Sequence, residues 1–427
     1  MKENRRIHRA WWMLIGCCLL QGGSLGIIHN CRGIFYDPVI EDLGFGMGAF
    51  SFYILFFGVC SCFVLPFVGK LFRKVDSRIL LGAASLVFSG TVFVMGFFHT
   101  LPAFYIAGAI QGFASAFLMF FPAPYILGNW FYKKRGLAVG LSAAVAGLAG
   151  VLGNPLGNAI IRAFGWRMGF FSFGLISLVM MFPVSVFLLR RSPEDVGCRP
   201  YGAEDDGALT GESCPLDGVP ASRAKRESAF WLLILAGLLA AFSCAYYAHL
   251  SPLGIYFGYG SVVGALMVSC SMAGNVVSKL LLGQLYDRFG LRTALAAGTA
   301  AVVTGFLLLL VDSLPVRIIG SFLYGFSMAM SAIMIAITIR DVYGSRDYGD
   351  LLSYSSMAST LGTSVNIAII GYMVDGFGRQ RGYIISLWYG LALTLAMGAL
   401  LIVSIRGGRK IAAEYKTGAV AGENAKH

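Results

Sequence analysis

The stretch Gly283-Gln284-Leu285-Tyr286-Asp287-Arg288-Phe289-Gly290-Leu291-Arg292 decides how this chain is read. It is a short charged break between two long apolar runs. Half a chain earlier stands a companion, Gly69-Lys70-Leu71-Phe72-Arg73-Lys74-Val75-Asp76-Ser77-Arg78. Glycine opens each copy, a basic residue follows at offset five, and arginine closes each at offset nine. A duplicated bundle of membrane helices leaves this signature.

Composition agrees. The chain is 57% hydrophobic and 13% charged, with a mean hydropathy of +0.74. A soluble protein of this length needs more charge to cover its surface. Twelve apolar runs reach the roughly 20 residues that cross a bilayer. They lie at about 11–34, 48–68, 79–98, 101–128, 136–161, 168–189, 230–252, 261–286, 293–311, 316–339, 351–374 and 383–405. The expected fold is all-α: twelve transmembrane helices in two pseudo-symmetric six-helix bundles. Residues 1–189 form the first bundle and 230–427 the second, with a short cytoplasmic tail. A polar loop, 190–229, lies between them, rich in acids and bases and broken by Pro193, Pro200, Pro215 and Pro220. Its composition predicts poor order over much of its length.

The net charge of +12 raises the question of nucleic acid, and its placement answers it. Lys and Arg gather at the amino terminus, at Lys70 to Arg78, at Lys133 to Arg135, in the central loop, at Arg288 and Arg292, at Arg340 and Arg346, and in the tail. Few fall in the alternate loops: Arg162, Arg167, Arg317, Arg379 and Arg381. The positive-inside rule then puts both termini in the cytoplasm, in a multi-pass protein of the cell membrane, a bacterial inner membrane by this reading. The partner it implies is the lipid bilayer, not nucleic acid. Nine cysteines give no framework; most lie in apolar runs and read as small packing residues. The first run is too long for a signal peptide. With no metal cluster, triad or phosphate loop in the sequence, an enzyme, a cofactor and ATP coupling are not expected, and a monomer is.

The fifth run carries small residues at helical spacing: Gly136 and Gly140, Gly153 and Gly157, with Ala143, Ala144, Ala146 and Ala149 between. These predict close backbone contact with a neighbour, and Pro155 predicts a bend. The eleventh run has a similar face at Ser355, Ser356, Ala358, Ser359, Gly362 and Thr363.

The loop from Gly283 to Arg292 resembles the signature of the major facilitator superfamily, Gly-x-x-x-Asp-Arg-x-Gly-x-Arg. The second copy is intact. In the first, Arg73 stands where the acid belongs and Asp76 where the second glycine belongs. Three further segments, Asn129 to Gly140, Arg191 to Gly202 and His249-Leu250-Ser251-Pro252, resemble the monocarboxylate and oxalate:formate transporters. That likeness implies a secondary carrier working by alternating access, with helices 1, 4, 7 and 10 lining the path. Gly69, Arg73, Asp76 and Arg78, with Gly283, Asp287, Arg288 and Arg292, would gate its cytoplasmic side.

Apart from Arg317 at the edge of the tenth run, counted above with the alternate loops, two strong bases fall inside the runs, Arg32 and Lys279, and no acid lies near the middle of any run. A buried base without a resident partner is expensive, so its partner is expected to be a ligand, and a small carboxylate fits. In the resembling transporters the place of Lys279 is typically an arginine that binds the substrate carboxylate; lysine keeps the charge and loses the two-pronged donor. The competing reading is a snorkelling lysine. Asn275 shares its face one turn earlier, as substrate contact or packing amide. In proton-coupled relatives this place is aspartate; asparagine does not titrate.

Arg32 has His29 and Asn30 beside it; the relatives' lysine falls at Asn30. Arg32 either serves the substrate or pairs with Asp37 or Glu41 at the outer surface. The oxalate-type carrier's second cation, on helix 11, aligns with Ser355, which disfavours an oxalate-like site. Tyr125, Tyr247 and His249 complete the candidates, each also readable as packing or interface residues. The expected function is transport of small organic anions, a monocarboxylate or small dicarboxylate, by exchange or facilitated diffusion. A proton-coupled monocarboxylate symporter, a drug-type efflux carrier of the same fold, and a transceptor are the alternatives.

Overall fold

In the computed structural model the chain is described over residues 8–119, 121–131, 134–202, 218–344 and 347–424, without the side chains at 70, 73, 135, 136 and beyond 410. Among the described residues, nine helical segments are long and apolar enough to cross a membrane: Arg9–Leu43, Met47–Gly69, Ser77–Met95, Leu137–Leu188, Ser228–Tyr256, Gly260–Leu310, Leu314–Tyr343, Tyr348–Phe377 and Arg379–Lys410. Two of them are far longer than one crossing needs. At 1.5 Å per residue, about 50 residues would run about 75 Å against about 30 Å of hydrocarbon. Each is divided at one glycine: Gly165 (φ 83°, ψ 166°) and Gly290 (φ 79°, ψ 174°). A further crossing is made of two short helices, Leu101–Ser115 and Pro122–Trp130, on either side of a turn. Counted this way the described residues make the twelve crossings read from the sequence.

The turn glycine explains how the two charged loops differ. At Gly290 the backbone takes a positive φ with extended ψ, a region essentially closed to residues with a Cβ. The aligned Asp76 sits at φ −57°, and its carboxylate accepts from the Arg78 amide at 2.9 Å. The first copy therefore replaces a glycine hinge with a side-chain helix cap.

Four crossings lose α geometry part-way, and the sixth widens to π geometry at its end, Val184–Leu188. In Arg9–Leu43 the helix widens to π geometry at Gly22–His29 and tightens at Arg32–Phe35. The fourth crossing breaks at its turn. Ser228–Tyr256 tightens at Ala245–His249, and Leu314–Tyr343 breaks near Gly325 and widens at Met330–Met334. These are crossings 1, 4, 7 and 10, one in each three-helix repeat. Irregular backbone at membrane depth survives where protein or a cavity satisfies it. One such remedy is visible: the Tyr324 hydroxyl donates to the carbonyls of Cys244 (2.6 Å) and Ser243 (3.1 Å), where the seventh crossing tightens.

The chain forms two compact units, Met1–Gly211 with Ala248–Ala273, and Glu212–Tyr247 with Gly274–His427. In the first, the small face of Leu137–Leu188 meets the broken first crossing. Gly26 lies against Ala146 and Ala149, Gly150 against Asn30, and Gly153 against Cys31. Pro155 is accommodated inside the helix. The segment Ala248–Ala273 joins this unit through the Ala248 carbonyl against Gly33 and a bond from Ser269 Oγ to the Val151 carbonyl at 3.0 Å. In the second unit the eleventh crossing packs likewise on the seventh, Gly362 meeting Leu238, Ala241 and Phe242. The described ends of the central loop are fastened: Tyr201 N donates to the Trp130 carbonyl at 2.8 Å, and Val219 N to that of Tyr343 at 2.9 Å.

Gly290→Ala should cost about 1–3 kcal/mol of stability, because alanine cannot hold that backbone region without strain. A lowered thermal midpoint in detergent checks it; Asp76→Ala, which removes only a cap, should cost about 1 kcal/mol.

Candidate functional site

The first crossing is irregular where Gly22, Gly23 and Gly26 let it press against its neighbours, and this sets the position of Arg32. Arg32 is 4% exposed. Its Nη2 donates to Gln111 Oε1 at 2.9 Å, and its guanidinium carbon lies 4.1 Å from the Phe57 ring centroid. A cation over a ring in a dry setting gains about 2 kcal/mol. Nη1 is buried with no hydrogen-bond partner among the described residues. No ion pair joins Arg32 to Asp37 or Glu41, so the surface pairing considered from sequence is not formed. Arg32 instead borders a cavity of about 20 Å³ with Tyr53, Gln111 and a wall of apolar side chains.

The neighbours of Arg32 have separate places. His29 is half-buried, its ring 6.0 Å from that of Phe57. Asn30 is buried and donates to the Ala146 carbonyl at 3.5 Å. His249 is fully buried, its ring 5.6 Å from that of Tyr36. Tyr125 is half-buried and stacks on Phe121 at 5.0 Å, near Phe72.

In the second unit Lys279 is half-buried on Gly260–Leu310. Among the described residues it makes no hydrogen bond and no ion pair; Cys244 is the ionisable group within its electrostatic reach. One turn earlier Asn275 is 6% exposed, and its Oδ1 is buried with no partner among the described residues. Tyr247 and Ser355 are buried, Ser355 against Gly237 on the seventh crossing. Among the described residues, the two bases read from sequence therefore both lie in apolar helices without a carboxylate partner.

Of the loop residues, Gly69 and Arg78 are half-buried and Asp76 is exposed, while the side chain of Arg73 lies outside the described residues. Burial, and then the nearby Arg78, hold Arg190 below its ordinary value. Gly283 is half-buried; Asp287, Arg288 and Arg292 are exposed. Beside them, Tyr286 donates to Asp341 Oδ1 at 3.4 Å, and Arg409 donates to Asp341 Oδ2 at 2.8 Å.

Sequence reasoning missed Gln111, Tyr53 and Phe57. Gln111 had a signal, a lone amide in an apolar run; Tyr53 and Phe57 had none among so many aromatics. It also stopped the first crossing short of Asp37, which is 3% exposed in the same continuous segment.

A family model of the Major Facilitator Superfamily matches residues 25–276 and 250–421, and the chain belongs to that superfamily of transporters. It is 27% identical to the MFS-type transporter pynF of Aspergillus niger over 66% of this chain, spanning 62% of pynF's length. It is 24% identical to the oxalate:formate antiporter of Oxalobacter formigenes over 88% of each chain. Monocarboxylate transporter 3 of Mus musculus is 27% identical over 38% of this chain and 33% of its own. A crystal structure of a bacterial homolog of the lysosomal transporter Spinster matches with a TM-score of 0.70 at 14% identity, covering 95% of this chain and 98% of that one. At that identity the match speaks for the fold alone.

Gln111→Leu removes the one oxygen that accepts from the Arg32 side chain among the described residues. It should cost about 1.5–3 kcal/mol, the range for a hydrogen bond to a charged group. Arg32→Gln alongside Gln111→Leu in a double-mutant cycle measures the coupling.

Proposed function

We propose that this transporter carries small organic anions, a monocarboxylate or small dicarboxylate, and that Lys279 receives the carboxylate. The observation behind this reading is Lys279 itself: a half-buried ammonium in an apolar helix with no hydrogen bond or ion pair among the described residues. Its burial disfavours a lysine reaching for headgroups, since the loop residues Asp287, Arg288 and Arg292 a few turns on are exposed. Asn275, one turn away, offers an amide to the same guest. Similarity to an oxalate:formate antiporter and a monocarboxylate transporter supports the same class.

The physics favours exchange. Closing an apolar site around a bare cation is costly, and a bound carboxylate offsets that cost. If the offset is about 3 kcal/mol, the loaded carrier reorients about a hundredfold faster than the unloaded one. Alternating access would then run as anion exchange, in a cell membrane, with both termini on the cytoplasmic side as the placement of Lys and Arg suggests.

In proteoliposomes, internal carboxylate should accelerate uptake of labelled carboxylate from outside; uptake indifferent to internal anion would count against exchange. Lys279→Gln should lower that uptake at least about tenfold while the protein still folds, and Lys279→Arg should retain it. Full uptake by a folded Lys279→Gln protein would remove Lys279 from the site.

A further inference from the structure

We infer that the first unit holds a second anion site, in which the cavity beside Arg32 takes one small monovalent anion of halide size. Three observations converge there. First, Arg32 is 4% exposed and borders the cavity, and its Nη1 is buried with no hydrogen-bond partner among the described residues. Second, the other polar groups on the wall are donors. Gln111 spends its oxygen on Arg32 Nη2 at 2.9 Å, which leaves its NH₂, and Tyr53 brings a phenol. No carboxylate stands among the lining residues, and the remaining wall is apolar, with Phe35, Phe170 and Phe173 as its largest members. Third, the cavity is small, about 20 Å³, so its occupant is a compact one.

Size and charge choose the occupant. The cavity is small and only partly enclosed, which favours a compact ion over a carboxylate with a carbon chain. A water molecule accepts the hydrogen bond but leaves the guanidinium charge uncompensated in an apolar setting. A halide meets both needs with charge-assisted bonds from Arg32 and neutral ones from Tyr53 and Gln111. Asp37, the buried acid of the same crossing, forms no ion pair with Arg32 and does not line the cavity. Neither Lys279 nor Asn275 lines it; both belong to the other unit.

The test is thermal unfolding of the purified full chain in detergent, at fixed ionic strength, with chloride, bromide, formate or gluconate as the anion. The thermal midpoint should rise saturably with chloride and bromide and not with gluconate. Tyr53→Phe should weaken the halide dependence about tenfold in concentration, and Arg32→Gln should abolish it. If Arg32→Gln does not fold, bromide-soaked crystals of the unaltered protein decide, with an anomalous peak expected within hydrogen-bond reach of Arg32 Nη1. Equal midpoints in chloride and gluconate, no bromide peak, or a halide shift that survives Arg32→Gln would overturn the inference. An Arg32-dependent shift with formate and none with halides would overturn it as well, assigning the cavity to carboxylates. Carboxylate uptake is read separately, so failure of the transport reading leaves this result intact.

Discussion

A positive charge inside an apolar helix bundle must be met by something, and the rest of this structure turns on how that is done. An uncompensated ion in low dielectric costs several kcal/mol even after relaxation. Arg32 is met partly, by the Gln111 oxygen and the Phe57 face. Lys279 is met by neither a carboxylate nor a hydrogen bond among the described residues. By contrast, the buried Arg317 has its acid: Nη1 lies 3.2 Å from Asp312 Oδ1. Among the described residues, then, one buried base has a carboxylate partner and two others do not.

Lys279 and Arg317 stand on regular α-helix, whereas Arg32 stands where the backbone tightens. The four irregular crossings are the first, fourth, seventh and tenth, and Arg32 sits in one of them. Around them, long regular helices with small faces form the frame: Gly153 against Cys31 in one unit, Gly362 against the seventh crossing in the other. The same division recurs in both units, as expected of a duplicated bundle. Long regular helices and irregular crossings are separate parts of each repeat.

Most of the frame was legible in the sequence, because hydropathy and the glycine-led charged loops are local signals. The motif around Gly290 was readable as a break between two apolar runs, and the backbone there takes a positive φ. The irregular segments were less legible. Gly22, Gly23 and Gly26 hint at one, but Ala245-Tyr246-Tyr247-Ala248-His249 carries no mark of tightening, since the carbonyls it frees are satisfied by Tyr324, far along the chain. Arg32 and Lys279 stood out because charges are rare in apolar runs. Their surroundings did not: Gln111 is 79 positions from Arg32, and only tertiary packing brings them together. The acid at Asp37 was misjudged for a related reason, because hydropathy alone does not say how far a crossing extends past its most apolar core.

The account's central claim is that an unpaired, half-buried Lys279 awaits a carboxylate. Equilibrium binding to the purified protein tests it most directly, by calorimetric titration with short mono- and dicarboxylates and, as a contrast, cationic amphiphiles. The account predicts saturable binding of at least one carboxylate that weakens about tenfold or more in Lys279→Gln and persists in Lys279→Arg. Binding of cationic amphiphiles with none of carboxylates, or carboxylate binding unchanged in Lys279→Gln, would contradict it.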